Sequence, residues 1–106
     1  MIPIRIADGG DARLSAYAGV RDPQRLRDQG LLIAEGRFVI RRLLTSGHVK
    51  VQSLLLNDAA LRGLGDVLGG AGPDLEVYVA SADVITAATV FNMHRGYLAV
   101  AERPAP

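Results

Sequence analysis

Hydrophobic positions along this chain come in short blocks separated by stretches with a longer period. "LLIA" (31–34) is a continuous apolar run of strand length. "VKVQSLLLN" (49–57), "LEVYVA" (75–80) and "GYLAVAE" (96–102) also read as strands, "LEVYVA" with alternating character. Between them the spacing becomes helical. From Gly36 to Ser46, Phe38, Val39, Leu43 and Leu44 fall near one face, while Arg37 and Arg41, four apart, share another. Gly47 is the predicted stop. "DAALRGLGDVL" (58–68) is predicted as a helix started by Asp58 and weakened by Gly63 and Gly65, each costing about 1 kcal/mol relative to alanine. "SADVITAATVF" (81–91) reads as a helix capped by Ser81, with Asp83 favouring the dipole in its first turn. Two short helices come earlier. One runs from Asp11, its N-cap, to Ala18; the other lies in "RDPQRLRDQG" (21–30), where Asp22 caps, Pro23 takes the first position and Gly30 ends it.

The predicted order is helix, then strand–helix three times, then strand. Alternation of this kind implies an α/β fold: one sheet of about four mostly parallel strands, covered by helices on both faces. The crossovers are long enough for right-handed parallel connections, and one edge strand could still run antiparallel. Residues 1–10, "MIPIRIADGG", read as an N-terminal tail. Residues 11–102 form one domain with a single modest core, and "RPAP" (103–106) starts a linker.

Composition narrows the function classes. The chain has no cysteine, which excludes disulfides and thiolate metal sites and fits a reducing, cytoplasmic setting. No apolar run approaches the roughly 18 residues a membrane span needs, so no membrane partner is expected. Two histidines and few clustered carboxylates argue against a dedicated metal site. The formal charge of +1 hides an asymmetry. Arg13–Lys50 carries eight cations against three acids, a net +5, whereas Val51–Pro106 is net −3. A domain polarised in this way can present a basic face to a polyanion, or simply solvate an arginine-rich surface.

Ligands of open α/β sheets gather where strands hand over to helices. Two joints carry candidate chemistry. In "AEGRFVIRR" (34–42), Gly36 lets backbone approach a ligand closely, and N–H groups at a helix start attract phosphate. Arg37 and Arg41 can add charge-assisted contacts there. Glu35 suits phosphate poorly and is expected to accept hydrogen bonds that fix the turn. In "VFNMHRGYLAV" (90–100) the chain turns through Asn92, Met93, His94 and Arg95 to Gly96. Asn92 can bond a base edge or sugar hydroxyl, Arg95 can pair with phosphate or stack on a base, and His94 can stack or donate. Solvated arginines and a helix-stop loop are the bland readings of the same residues. No nucleophile elbow, phosphate-cradling GxxxxGK[ST] or strand-following GxGxxG occurs, so nothing in the motifs supports catalysis.

At these two joints the chain resembles a known family. "GLLIAEGRFVIRRLLTSG" is similar to the FVAEG…V…LL.SG segment of the SpoU/TrmH RNA methyltransferases, and "VFNMHRGYLAVAERP" to the HRG(V)LA(V)…RP segment that closes the same domain. "VKVQSLLLN" and "LEVYVAS" fall in matching places, and "RDPQRLRDQG" resembles the arginine-rich lead-in. The likeness extends from about Asp11 to Pro104. It implies the family's N-terminal substrate-binding domain, a three-layer α/β/α sandwich similar to kink-turn-binding ribosomal proteins. RNA contacts would then fall on Gly36, Arg37 and Arg41 and on Asn92, His94 and Arg95, with Glu35 and Gly96 shaping the turns. The implied partners are structured RNA (rRNA or tRNA), a methyltransferase domain of the parent chain, and a homodimer formed through the parent. S-adenosylmethionine would belong to that catalytic domain, which is absent from these residues, so no cofactor and no methyl transfer are expected here. The alternative is a protein-interaction or dimer-supporting module without direct RNA binding, using apolar strands and an open sheet edge.

Overall fold

The computed structural model describes residues 2–90 and 96–104. Its sheet has five strands: β1 (Ile4–Arg5), β2 (Leu31–Glu35), β3 (Val51–Leu56), β4 (Glu76–Val79) and β5 (Tyr97–Glu102). A 3₁₀ helix (Ala12–Arg21) and α1 (Pro23–Asp28) lead into β2, and α2 (Arg37–Ser46) follows it. Helices α3 (Asp58–Gly63) and α4 (Gly65–Leu68) connect β3 to β4, and α5 (Ala82–Thr89) follows β4. Among the described residues no helix is long and apolar enough to cross a membrane.

The spatial order is β1-β4-β3-β5-β2. β1 and β3 pair with β4 in parallel, while β5 runs antiparallel to both β2 and β3. Two expectations are thereby corrected. The antiparallel strand is interior, not at an edge. A buried run such as "YLAVA" is apolar on both faces and reads alike in either direction, so periodicity could not orient it. The segment read as a tail also supplies a strand: Ile4 and Arg5 pair with Tyr78 and Val79, and Ile6 is buried.

Alternation along the strands builds two cores, one on each face of the sheet. Leu54, Leu56, Val77, Val79 and Ala99 face α2, α3 and α4, meeting Ile40, Ala60, Leu64 and Leu68. Leu55, Tyr78, Leu98 and Val100 face the other way, toward Leu14 and Tyr17 of the 3₁₀ helix and Ile85 and Ala88 of α5. This is the three-layer α/β/α arrangement. A polar contact is buried within the second core: the Tyr17 hydroxyl and Ser53 Oγ lie 2.7 Å apart, and burial pushes the Tyr17 phenol well above its usual range.

Capping agrees with the sequence at most ends. Asp11, Asp22 and Ser81 each accept a backbone N–H at a helix start. The predicted helix 58–68 is instead two short helices, broken at Leu64, and its cap is Asn57 rather than Asp58. Asn57 Oδ1 accepts from Ala60 N at 2.8 Å, while Asp58 occupies the first helical position.

Candidate nucleic-acid interface

The carboxyl ends of β1, β2, β3 and β4 lie at one end of the sheet, and β5 begins there. Hydrogen bonds stitch this end together. Gly36 N donates to Tyr97 O at 3.0 Å, extending the β2·β5 ladder past the last strand residue. Asn57 N donates to Gly96 O at 3.2 Å. Gly36 and Gly96, one from each sequence joint, are thus held beside each other at the same end of the sheet.

Both glycines are required by backbone conformation. Gly36 has φ 103° and ψ 149°, a region essentially reserved for glycine. A Cβ there would meet no neighbouring atom among the described residues. Gly96 has φ 83°, and a Cβ on it would overlap the Asn57 amide that caps α3. The expectation for Glu35 is not met. Its carboxylate makes no hydrogen bond among the described residues; the turn is fixed by the Gly36 conformation and the ladder bond to Tyr97.

Gly36 is the N-cap of α2 and provides no side-chain cap, so the N–H groups of the first turn face outward unpaired by a side chain. Arg37 opens the helix. Its exposed guanidinium makes no hydrogen bond or ion pair among the described residues and lies 6.0 Å from the Phe38 ring centroid. Arg41 is differently placed. It forms a two-pronged pair with Asp66, at 2.9 Å and 2.6 Å, and also donates to Gly63 O at 3.2 Å. The hydrogen bonds and charge of Arg41 hold the Asp66 carboxyl below its usual range. Arg41 therefore ties α2 to α3 and α4, and the two arginines four apart have separate tasks.

The apolar stripe of α2 also differs from its reading. Ile40 is fully buried, with Leu43 and Leu44 partly buried beside it, but Phe38 is 80% and Val39 49% exposed. The helix is rotated so that Ile40 faces the sheet. Phe38 was the aromatic signal available in the sequence and was assigned to the wrong face. At the neighbouring strand end, Arg5 and Asp58 form an exposed ion pair. That contact holds the Asp58 carboxyl below its usual range. Asn92, His94 and Arg95 lie outside the described residues.

A cavity of about 370 Å³ reaches this end of the sheet from the other face, where Glu35, Thr89 and Leu98 line it together with Leu26 and Arg103. Its walls are mostly aliphatic, with Glu35, Thr89 and Arg103 as the polar groups. No group of three His, Asp or Glu side chains suited to a metal occurs among the described residues.

No family model matches the chain. It is 36% identical over 102 residues to uncharacterized tRNA/rRNA methyltransferases of Mycobacterium bovis and Mycobacterium tuberculosis, covering 92% of this chain and 34% of each relative. The chain thus spans about a third of the length of the curated relatives it matches. An AdoMet-bound rRNA methyltransferase from Sinorhizobium meliloti superposes with a TM-score of 0.74 at 12% identity, over 98% of this chain and 38% of that one. An RNA 2′-O ribose methyltransferase gives a TM-score of 0.70 at 20% identity, over 95% of this chain and 38% of that one. The α/β fold is therefore that of one part of these larger proteins, and the resemblance seen at the two sequence joints extends through both sequence and fold.

Proposed function

We propose that this chain is the RNA-recruiting domain of an S-adenosylmethionine-dependent ribose 2′-O-methyltransferase, holding a ribosomal or transfer RNA for a catalytic domain not among these residues. The observation that carries the reading is the hydrogen-bonded end of the sheet. Gly36 bonds Tyr97 while Asn57 bonds Gly96, so the two joints adjoin. On one side are the Gly36 turn, the first-turn N–H groups of α2, which no side chain caps, and the Arg37 guanidinium, which has no hydrogen bond or ion pair among the described residues. On the other, the chain enters Gly96 directly from Asn92, His94 and Arg95. In this reading Arg37 and Arg95 meet phosphates, Asn92 bonds a base edge or ribose hydroxyl, and His94 stacks or donates. Arg41 contributes indirectly, by fixing α2.

Methyl transfer belongs to the parent protein, whose other domain supplies the cofactor site. This chain acts by positioning, in a cytoplasmic setting, and any homodimer forms through the parent. The exposed Phe38 and Val39, and the outer edge of β2, favour a second reading as a protein-docking module.

Titration of the chain with transfer RNA and ribosomal RNA fragments at two salt concentrations, with Arg37→Ala alongside, separates the readings. RNA recruitment predicts affinity that falls steeply with salt and a shallower salt slope in the variant, because each lost phosphate contact releases fewer counterions. Absence of binding at low salt, with self-association that ignores Arg37→Ala, would establish the docking reading instead.

A further inference from the structure

Phe38 is the most exposed aromatic residue of the described chain, and the surroundings of its ring are specific. It stands in the first turn of α2, 80% exposed, with Arg37 preceding it and Arg42 four residues on along the same helix surface. Neither Arg37 nor Arg42 makes a side-chain hydrogen bond or ion pair among the described residues. Arg41, the remaining cation of this stretch, is already neutralised by Asp66. The Arg37 guanidinium lies over one face of the ring, 6.0 Å from its centroid, and Arg42 follows four residues on, so the ring is an exposed apolar surface between two arginine positions beside the Gly36 turn.

That combination fits one class of ligand. An apolar protein partner would have to cover two unpaired cations, at a desolvation cost that its own apolar surface cannot offset. A nucleic acid strand satisfies all three groups together, because a base offers a π-face to the ring while its flanking phosphates offer charge to the guanidiniums. Duplex RNA presents no free π-face along its length, so the ring discriminates in favour of unstacked nucleotides. We propose that Phe38 is a stacking platform for an unpaired nucleobase, with Arg37 and Arg42 holding the phosphates on either side of it. The inference rests on the RNA-recruiting reading and gives it a specificity, for looped rather than fully paired RNA.

The test uses the whole chain and its Phe38→Ala, Phe38→Leu and Phe38→Trp variants, with Arg37→Ala/Arg42→Ala as the charge control. Each is titrated against a hairpin RNA with an unpaired internal loop and against its fully paired counterpart, at low and high salt. Stacking predicts that alanine and leucine each weaken binding to the looped hairpin, on the order of tenfold or more, and that tryptophan retains it. The loss should be similar at both salt concentrations, since no phosphate contact is removed, and small for the duplex. The arginine variant should instead lose salt-sensitive affinity for both RNAs. If leucine binds as well as phenylalanine, or alanine changes nothing while the arginine variant weakens binding, the stacking proposal falls and RNA recruitment stands. If the unchanged chain binds neither RNA, both fall. If Phe38→Ala alters the sedimentation of the chain and leaves RNA affinity untouched, the ring serves a protein contact and the proposal is overturned.

Discussion

Replacing Gly96 or Gly36 by alanine makes the same chemical change at two adjacent turns, and the structure assigns the two changes different costs. At Gly36 a methyl group meets nothing among the described residues, so there the backbone conformation at φ 103° and ψ 149° is what resists it. A residue forced into that region costs about 1–3 kcal/mol. At Gly96 the left-handed φ of 83° brings a comparable penalty, and the new methyl also displaces the Asn57 side chain. That side chain caps α3 through Ala60 N, and losing such a cap costs about 1 kcal/mol more. Gly96→Ala should therefore be the more damaging change by about 1–2 kcal/mol. The comparison is made by urea unfolding, reading the midpoint with the slope unchanged. A third variant isolates the overlap: in an Asn57→Ala background the extra penalty of Gly96→Ala should vanish, because the obstructing amide is gone. Equal destabilisation by the two glycine changes, or an extra penalty that survives Asn57→Ala, would refute the reasoning.

Four further outcomes follow from the same contacts. Ile40→Ala should cost about 2–5 kcal/mol by opening a void under α2, whereas Phe38→Ala should stay within about 0.5 kcal/mol; comparable losses in thermal unfolding would mean the helix is rotated as its apolar spacing first suggested. Arg41→Ala should lower the melting temperature more than Asp66→Asn, because it also loses the bond to Gly63 O, and the two should combine with less than additive effect while leaving the salt slope of RNA binding near that of the unchanged chain; full additivity would break the assigned pair. The Asp66 carboxyl is depressed in the folded state, so its stabilisation is present above the unfolded carboxylate range and is lost as pH falls through the folded value, a dependence Asp66→Asn should blunt. The Tyr17 phenol is raised, so stability is unaffected below pH of about 10 and falls as pH rises beyond it; Tyr17→Phe should flatten that alkaline decline while costing about 1–3 kcal/mol at neutral pH for the stranded Ser53 hydroxyl.

Four strands, the helices between them and most caps were legible in the sequence because each depends on local chemistry. Runs of strand length, a proline in a first turn and capping side chains carry their meaning over a few residues. What was not legible depends on distant partners. β1 is two residues long and exists because β4 offers an unpaired edge. The direction of β5 is set by bonds from Gly36 and Asn57 to its beginning. The apolar residues of α2 admitted two rotations, and Ile40 under the sheet rather than Phe38 decided between them. The same limit applied to the candidate interface. The sequence placed Gly36, Arg37 and Gly96 at the joints, but it did not reveal the pairing of Arg41 with Asp66, which lies 25 residues away along the chain. Glu35 was given a hydrogen-bonding role that a glycine conformation and a ladder bond perform instead.

The central claim is that RNA meets the end of the sheet where Gly36 and Gly96 adjoin. The most direct measurement is a titration of the isotopically labelled chain with the looped hairpin RNA, followed through its assigned backbone amide resonances. The account predicts that the largest shifts fall on Glu35–Val39, Asn57, Gly96 and Tyr97. Shifts concentrated instead at the opposite end of the sheet, around Gly47–Val51 and Gly70–Leu75, would contradict it.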